Sequence, residues 1–187
     1  MATSNFKISI HMVLSLDGFI AKKNNSVDWF ETVDHYENGV EITEEDKMAF
    51  LKTIDCYVMG ARTYEHALKL ADTYGWAYGN TPTIVLTHKE MPVYSRHVEF
   101  FSGTLHELIE EKLKPHFGNI WVVGGASLAK AFISSKQANE IRVSILPVIL
   151  GDGIRFIENM AQEQALHLKN VVPYKSGMVE LCYEVKQ

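Results

Sequence analysis

Two short glycine-containing segments stand where a strand-like run passes directly into a helical pattern. They are Met59-Gly60-Ala61-Arg62-Thr63 and Val123-Gly124-Gly125-Ala126-Ser127. The first N–H groups of a helix lack partners and carry a partial positive charge, so they can bind a phosphate. Glycine lets that phosphate approach the backbone because no Cβ stands in the way. Two such junctions on one edge of a sheet could clasp the two phosphates of a dinucleotide.

A third strand-like run ends in Leu86-Thr87-His88-Lys89 and adds cationic side chains. Arg62, His88 and Lys89 could contact a further phosphate through charged hydrogen bonds, and no acidic residue stands at these turns to compete. Ordinary turn chemistry is the alternative, because glycine after a strand is common. Neither glycine segment matches the fingerprint G-x-G-x-x-G or a P-loop. The joint occurrence of the three segments favours the ligand interpretation.

Carboxylates and aromatic rings share the long segment 22–42 after the first strand-like run. Its acids are Asp28, Glu31, Asp34 and Glu37, and its rings are Trp29, Phe30 and Tyr36. Hydride transfer to a C=N bond requires a proton at the nitrogen, which a carboxylic acid in an apolar pocket can supply. The rings could line a slot for a flat substrate. The alternative for each acid is a solvated carboxylate on a loop.

The composition narrows the functional classes further. The 187 residues are 47% hydrophobic, and the net charge of −5 disfavours nucleic-acid or membrane-surface binding, which needs a basic face. The histidines show no metal-ligand spacing, so no metal site is predicted. No export leader or membrane-spanning run is recognisable, and Cys56 and Cys182 lie in apolar runs, as buried free thiols do. We therefore expect a single domain over residues 1–187 in the cytoplasm.

Strand-like runs rich in Val, Ile and aromatic residues recur along the chain and would position these side chains. Six precede residue 150: Phe6–Leu14, Cys56–Met59, Thr83–Thr87, Val98–Phe101, Ile120–Val123 and Ile141–Leu146. Two more, Ala165–Val172 and Met178–Val185, flank the turn-rich segment Pro173–Gly177. That spacing predicts a closing β-hairpin.

Helical patterns separate the earlier strands. Thr43 is a candidate N-cap with Asp46 three residues later, and the apolar residues Met48, Leu51 and Ile54 would share one helix face. The other predicted helices are Thr63–Ala71, Thr104–Leu113 and Ala126–Ser134. This alternation predicts an α/β fold with a largely parallel sheet, helices on its faces and an antiparallel edge hairpin. Ligands of such sheets bind at the carboxyl ends of the strands, where the glycine segments stand.

Four longer segments carry a family resemblance: Met12–Ala21 (MVLSLDGFIA), Val58–Glu65 (VMGARTYE), Val122–Leu128 (VVGGASL) and Pro147–Gly153 (PVILGDG). Together, and in this order, they resemble the dihydrofolate reductase superfamily. The similarity is to its branch that contains the reductase domain of the bifunctional riboflavin-synthesis enzyme, the RibD C-terminal domain. The resemblance implies a three-layer dihydrofolate reductase-like fold around a mostly parallel sheet of about eight strands, with an NADPH site.

In that family the Gly60–Thr63 and Gly124–Leu128 turns would hold the cofactor phosphates and the nicotinamide side, and Thr87–Lys89 would lie by the adenosine 2′-phosphate. The cofactor residues implied by the resemblance are Val13, Ala21, Gly60, Ala61, Arg62, Thr63, Leu86, Thr87, His88, Lys89, Val123, Gly124, Gly125, Ala126, Ser127 and Leu128. A cis peptide between Gly124 and Gly125 is also implied, which two glycines tolerate better than bulkier residues do. Ala61 departs from the family, where arginine is common, so Arg62 either replaces that contact or points away.

On the substrate side the resemblance implies contacts from Met12, Trp29 and Phe30. The lone acid of dihydrofolate reductases aligns with Asp34 when one residue is inserted, which makes Asp34 the candidate proton donor. A solvated loop acid is the alternative interpretation of Asp34. Asp17 stands in good turn chemistry before a glycine, so it is either structural or a catalytic group at the junction of cofactor and substrate.

These expectations describe an NADPH-dependent reductase of a pterin-like or ribosylaminopyrimidine-like heterocycle, in riboflavin- or folate-type metabolism. Relatives in the riboflavin branch pair as dimers, so a homodimer is expected here. The rival interpretation is a nucleotide-binding module of the same fold without turnover. The missing certain proton donor keeps that rival open.

Overall fold

The computed structural model describes residues 6–31 and 33–186. The strands are β1 Lys7–Ser15, β2 Phe19–Ala21, β3 Cys56–Gly60, β4 Thr83–Leu86, β5 Val98–Phe101, β6 Asn119–Gly124, β7 Glu140–Leu146, β8 Ile154–Arg155, β9 Leu166–Pro173 and β10 Val179–Val185. The helices are α1 Glu44–Leu51, α2 Ala61–Tyr74, α3 Leu105–Glu107 and α4 Ala126–Ser134. A 3-10 turn spans Asp28–Phe30, and α3 continues as a π-helical stretch over Leu108–Leu113.

Eight strands form one sheet in the order β5-β4-β3-β6-β1-β7-β10-β9. The pairings from β5 to β7 are parallel, whereas β10 pairs antiparallel with both β7 and β9. The predicted parallel sheet with an antiparallel C-terminal hairpin at its edge is therefore confirmed. The parallel order places the carboxyl ends of β1, β3, β4, β6 and β7 along one edge.

One face of the sheet carries the larger apolar core. Along β1, Ile8, Ile10, Met12 and Leu14 are buried at every second position, as the two-residue repeat of a strand requires. They pack with residues of α4 and the π-helical stretch, of which Phe132 and Leu113 are fully buried. Apolar packing on this face holds α4 and the π-helical stretch against the sheet.

The opposite face carries a smaller apolar cluster under α2. Tyr57, Met59 and Val85 from the strands pack against Tyr64 of α2, with Trp76 at the border. Tyr64 also donates a hydrogen bond to the carbonyl oxygen of Pro92 at 2.8 Å. Helix α2 is thereby fixed over β3 and β4, the strands that end at the predicted phosphate turns.

Helix α1 differs from its prediction. Thr43 caps it with the expected capping box, in which Asp46 takes part. The expected apolar face is wrong: α1 buries none of its residues, Met48 is 52% exposed, and the buried Ile54 lies beyond the helix end. Apolar residues are too few among the charged ones of this short helix to form a stripe.

Other boundaries follow from local chemistry that the residue pattern did not reveal. Helix α2 begins at Ala61, two residues earlier than predicted, because Gly60 acts as its N-cap in an extended conformation. The pair β2–β8 was not predicted, since strands of three and two residues carry no recognisable alternation. Within the described residues, no helix has the length and apolar character needed to cross a membrane.

Candidate functional site

The two glycine junctions meet at the carboxyl edge of the sheet. Strands β3 and β6 are neighbours, and Met59 pairs with Gly124. A Cβ built on Gly60 would lie 3.9 Å from the Gly124 carbonyl oxygen and 3.9 Å from the Gly125 nitrogen. Gly60 and Gly125 are the N-caps of α2 and α4, so both helices begin at this edge. The structure brings together the two turns that the sequence singled out.

Side chains around the glycine pair leave little room on one side. The Gly124–Gly125 peptide is cis, as expected, and Gly124 has φ +135°, a value that favours glycine. A Cβ on Gly124 would lie 3.3 Å from Met12 Cε and 3.7 Å from Thr63 Oγ1. Met12 and Thr63 therefore line the inner side of the junction, whereas the start of α4 forms its other side.

The cationic side chains stand beside this junction. Gly60 of β3 pairs with Leu86 of β4. Arg62 follows Gly60 by two positions, His88 follows Leu86 by two positions, and both side chains are exposed. The backbone N–H of Lys89 donates to Thr87 Oγ1 at 3.0 Å. Lys89 Nζ lies 3.9 Å from a carboxylate oxygen of Glu65 on α2. These contacts place the segment after β4 next to the first turns of α2.

Glu65 corrects one expectation from the sequence. No acid was expected at these turns, yet Glu65 lies within ion-pairing distance of Lys89. Glu65 lies one helical turn after Arg62 in α2, and the sequence alone does not show which way this helix faces relative to Lys89.

The remaining cofactor candidates vary in accessibility. Ser127 is exposed at the start of α4, whereas Leu128 and Ala21 are buried. The other four, Val13, Ala61, Val123 and Ala126, are partly buried. Ala21 lies in β2 and pairs with Ile154 of β8. Leu128 packs in the main core, which gives it a structural role whether or not a ligand is bound.

Asp17 anchors the loop after β1. Its carboxylate accepts hydrogen bonds from Ser15 Oγ at 2.6 Å, from the Leu150 N–H at 3.1 Å and from the Gly151 N–H at 2.7 Å. The Ser15 hydrogen bond, together with the two backbone N–H groups, lowers the pKa of Asp17 to about 2. Asp17 is therefore ionised at neutral pH and ties the segment 15–18 to the segment 150–153. This geometry favours the structural interpretation of Asp17.

Asp34 lies away from the glycine junctions in the sheet order. It is exposed, and its carboxylate lies so close to Gly177 that a Cβ there would overlap it. Gly177 belongs to the turn between β9 and β10. The loop that carries Asp34 is held to this hairpin by hydrogen bonds, such as the one that the Val40 N–H donates to the Pro173 carbonyl oxygen at 2.8 Å. An exposed carboxyl lacks the enclosing apolar pocket in which a carboxylic acid serves as a proton donor. The assignment of Asp34 as proton donor stays a prediction without support from this geometry.

Trp29 and Phe30 occupy the 3-10 turn of the same long segment. Trp29 is buried and Phe30 is 40% exposed, with their rings edge-on at 4.8 Å. Among the described residues, the buried Nε1 of Trp29 has no hydrogen-bond partner. A buried indole N–H normally finds a partner, so this atom can donate to a bound polar group.

A further polar cluster on the sheet face under α1 was missed in the sequence. It comprises His11 on β1, Arg142 and Ser144 on β7, and Glu180 on β10, and we call it the buried polar cluster. His11 pairs with Arg142 across β1 and β7, and Ser144 pairs with Glu180 across β7 and β10. Arg142 Nη1 donates to Glu180 Oε1 at 3.0 Å, and His11 Nε2 lies 3.0 Å from Ser144 Oγ and 3.7 Å from Glu180 Oε2.

Aromatic rings enclose this cluster. The His11 ring stacks on Trp121 with centroids 5.0 Å apart, and the Arg142 guanidinium lies 5.3 Å from the Phe50 ring centroid. Burial, reinforced by the positive charge of Arg142, lowers the pKa of His11 to about 4, so the ring is neutral at physiological pH. The buried Nδ1 of His11 has no hydrogen-bond partner within residues 6–31 and 33–186.

The signal for this cluster was present in β10 but weak. Glu180 and Cys182 alternate with Leu181 and Tyr183, which puts a carboxylate on the same face as a buried thiol. Which partner strand would cover that face follows only from the strand order. The two cysteines themselves are buried and free, as predicted.

The sheet order and the two glycine-capped helices define an α/β fold of the dihydrofolate reductase class. The chain belongs to the RibD C-terminal domain family, whose sequence profile matches residues 6–179. It is similar to two uncharacterised proteins of Bacillus subtilis. YyaP is 32% identical over 200 residues, which cover 97% of this chain and 97% of YyaP. YwjB is 29% identical over 177 residues, which cover 95% of this chain and 97% of YwjB.

Solved structures share the fold at low identity. A Shewanella sp. PV-4 protein, assigned by its name to riboflavin biosynthesis, superposes with a TM-score of 0.81 at 21% identity, covering 97% of this chain and 100% of that one. The Thermotoga maritima diaminohydroxyphosphoribosylaminopyrimidine deaminase/5-amino-6-(5-phosphoribosylamino)uracil reductase gives 0.66 at 14% identity, covering 97% and 57%. A pyrimidine reductase-like protein of Corynebacterium diphtheriae gives 0.65 at 12% identity, covering 98% and 93%.

Proposed function

We propose that this chain is an NADPH-dependent reductase that reduces a pterin-like or ribosylaminopyrimidine-like heterocycle by hydride transfer. The observation that carries the proposal is the meeting of two glycine-capped helix starts at the carboxyl edge of the sheet. Membership of the RibD C-terminal domain family supports reductase chemistry. The name of the Thermotoga maritima fold relative points to a phosphorylated pyrimidine as the substrate class.

The residues at this edge fit a dinucleotide diphosphate. A Cβ on Gly60 would lie 3.9 Å from the Gly124 carbonyl oxygen, and one on Gly125 would lie 3.5 Å from Thr63 Oγ1, so the two helix starts face each other across ordinary van der Waals distances. The unpaired N–H groups at the starts of α2 and α4 suit two phosphates. Arg62, His88 and Lys89 suit the additional 2′-phosphate that distinguishes NADPH. NADPH bound there would supply the hydride.

The substrate would lie on the sheet face beneath α1, next to the glycine edge. Val13 and Val123 are the residues between that edge and the ring pair His11–Trp121 on their strands. Trp29 is assigned to the substrate side because its buried N–H, which has no partner among the described residues, could donate to the substrate. These residues orient the heterocycle, while the proton required at nitrogen comes from solvent or from the substrate's own acidic groups.

A second candidate function is a nucleotide-binding module without turnover. One observation favours it: neither proposed acid is suited to proton donation, because Asp17 is held ionised and Asp34 is exposed. Binding would then persist while reduction fails.

NADPH oxidation, followed by its absorbance, separates the two. We expect oxidation with at least one member of a panel of dihydropterins, dihydrofolate and phosphorylated ribosylaminopyrimidines, and saturable NADPH binding in parallel titrations. NADPH binding without oxidation across the panel would favour the module. Absence of NADPH binding would overturn both candidates.

A further inference from the structure

A cavity of about 230 Å³ lies between α1 and the sheet, beside the buried polar cluster. Its lining residues are Lys7, Ser9, His11, Phe50, Thr53, Ile54, Asn119, Trp121, Glu140 and Arg142. An apolar cavity of about 150 Å³ is known to accept a benzene ring, so this one has room for a substituted six-membered ring. Its aromatic walls suit a flat ligand.

The charges around the cavity are already paired with one another. Arg142 contacts Glu180 at 3.0 Å and Glu140 at 3.6 Å, and Lys7 contacts Glu140 at 2.8 Å. Two cations therefore face two carboxylates, and no net charge is left for an ionic ligand to neutralise. A neutral ligand fits such a site better than a phosphate or a carboxylate does.

His11 supplies the polar atom that lacks a partner. Its Nε2 faces Ser144 Oγ and the Glu180 carboxylate, and a carboxylate can only accept hydrogen bonds. The proton of the neutral ring therefore belongs on Nε2, which leaves the buried and unpartnered Nδ1 as an acceptor. Leaving such an atom unpaired destabilises the protein, and a ligand N–H bound to it would remove that penalty.

Arg142 stands next to this acceptor as a donor. His11 and Arg142 are direct partners in the register of β1 and β7, so their side chains leave the same face at neighbouring positions. A ring nitrogen that carries hydrogen, next to a carbonyl group, presents one donor and one acceptor side by side. That lactam edge complements the His11 Nδ1 acceptor and the Arg142 N–H donor.

We propose that His11 and Arg142 form hydrogen bonds with the lactam edge of the heterocyclic substrate, with Trp121 and Phe50 lining the cavity beside its ring. The identity of the heterocycle rests on the proposed function, whereas ligand binding at this site does not require the cofactor. Phe50 stands edge-on to the His11 ring at 6.2 Å and is half-buried on helix α1, none of whose residues is fully buried, so a small shift of α1 would admit the ligand. Glu180 and Ser144 are positioning residues, because they fix the His11 tautomer and the Arg142 guanidinium.

The wild-type protein allows a test that no misfolded variant can confuse. The probe is 1-methyluracil, whose single ring N–H is flanked by two carbonyl groups, and the matched control ligand is 1,3-dimethyluracil, in which that N–H is methylated. We expect saturable binding of 1-methyluracil by NMR titration, a shift of the His11 Nδ1 resonance, and at least about tenfold weaker binding of the dimethyl compound. Equal binding of the two, or no saturation up to the solubility limit, would overturn the proposal.

Variants then assign the edge to its residues. His11→Phe keeps the stacking on Trp121 and should weaken 1-methyluracil binding about tenfold. The matched control His167→Phe changes an exposed histidine of β9 and should leave binding unchanged. Unaltered binding in His11→Phe would contradict the assignment.

NADPH titration of the same samples distinguishes the two proposals. A protein that binds NADPH but not 1-methyluracil overturns this inference alone. A protein that binds 1-methyluracil but not NADPH overturns the proposed function and leaves the lactam site standing.

Discussion

The two faces of the sheet are formed by the same strands but differ in chemical character. On one face Ile8, Ile10 and Met12 of β1 pack into a continuous apolar core. On the other face the alternate residues of the same strand include His11, which joins Arg142, Ser144 and Glu180 beneath an exposed helix.

The difference indicates where selection for folding gives way to selection for function. An apolar core stabilises by removing area from water, whereas a buried ion pair often gains no more than apolar residues of equal size would. The buried polar cluster therefore is not needed to hold the sheet together. A polar face with an unpartnered ring nitrogen, close to a glycine-lined edge, is the arrangement expected of a ligand site.

The largest expected effect separates the faces by stability. Ile10→Ala, on the apolar face, should lower the free energy of unfolding by about 2–5 kcal/mol, because the surroundings cannot fully close the space. His11→Phe, the neighbouring residue on the other face, should change it by less than about 1 kcal/mol. Urea unfolding of both variants checks this contrast. A loss in His11→Phe as large as in Ile10→Ala would erase the distinction.

The second prediction concerns pH. The pKa of His11 is lowered by burial from 6.5 to about 4, so the unfolded chain binds the proton more readily than the folded one. The stabilisation of the folded state by neutral His11 is fully present above pH 6.5 and is lost as the pH falls toward 4. The free energy of unfolding should fall by about 3 kcal/mol over this pH range. The charged groups facing His11 are Arg142, Glu180 and, farther off, Glu140.

Urea unfolding at pH 7 and near pH 4 measures the loss. The His11→Phe variant should lose less stability over this range than the wild type, whereas His167→Phe should follow the wild type. Parallel curves for wild type and His11→Phe would show that His11 does not titrate as its burial requires.

The sequence predicted the strands of the sheet and the two glycine junctions, but it did not predict the polar face. Alternation along β1 and the strand–turn–helix junctions are local features, so Gly60 and Gly125 could be placed from short segments. The buried polar cluster joins residues 11, 142, 144 and 180, and only the strand order β1-β7-β10 makes them neighbours. The position of Asp34 against the β9–β10 turn depends on the path of a long loop, which residue types do not specify.

At the glycine edge, a methyl group tests the cofactor site without disturbing either face. Gly60 has φ −87°, and an added Cβ would meet its nearest neighbours at 3.9 Å, an ordinary van der Waals distance, so Gly60→Ala should change the free energy of unfolding by only a few tenths of a kcal/mol. The added Cβ should nevertheless weaken NADPH binding about tenfold or more, since it fills the place where a phosphate would approach. Calorimetric titration gives the affinity, and an unchanged value would remove Gly60 from the site.

Cofactor choice is the next smaller effect. We expect NADPH to bind at least about tenfold more tightly than NADH, a difference of about 1.4 kcal/mol. Arg62→Ala with Lys89→Ala should remove most of this preference and scarcely alter NADH binding, whereas Arg96→Ala, an exposed arginine before β5, serves as the control. Equal affinities of the wild type for both cofactors would contradict the role of these cations.

The smallest effect is expected at Asp34. Because its carboxylate is exposed and packed against Gly177, Asp34→Asn should change kcat on a true substrate by less than about threefold, well below the 10²–10⁴-fold contribution of a general acid. Steady-state kinetics decide the point. A loss of that larger size, with NADPH affinity unchanged, would restore Asp34 as the proton donor.

The most direct test of the central claim is an NMR titration of the ¹⁵N-labelled protein with NADPH. The account predicts that the amide resonances that shift most belong to the Gly60–Thr63 turn and to the Gly124–Leu128 turn, with saturation at one cofactor per chain. Shifts confined to other parts of the chain, or none that saturate, would contradict it.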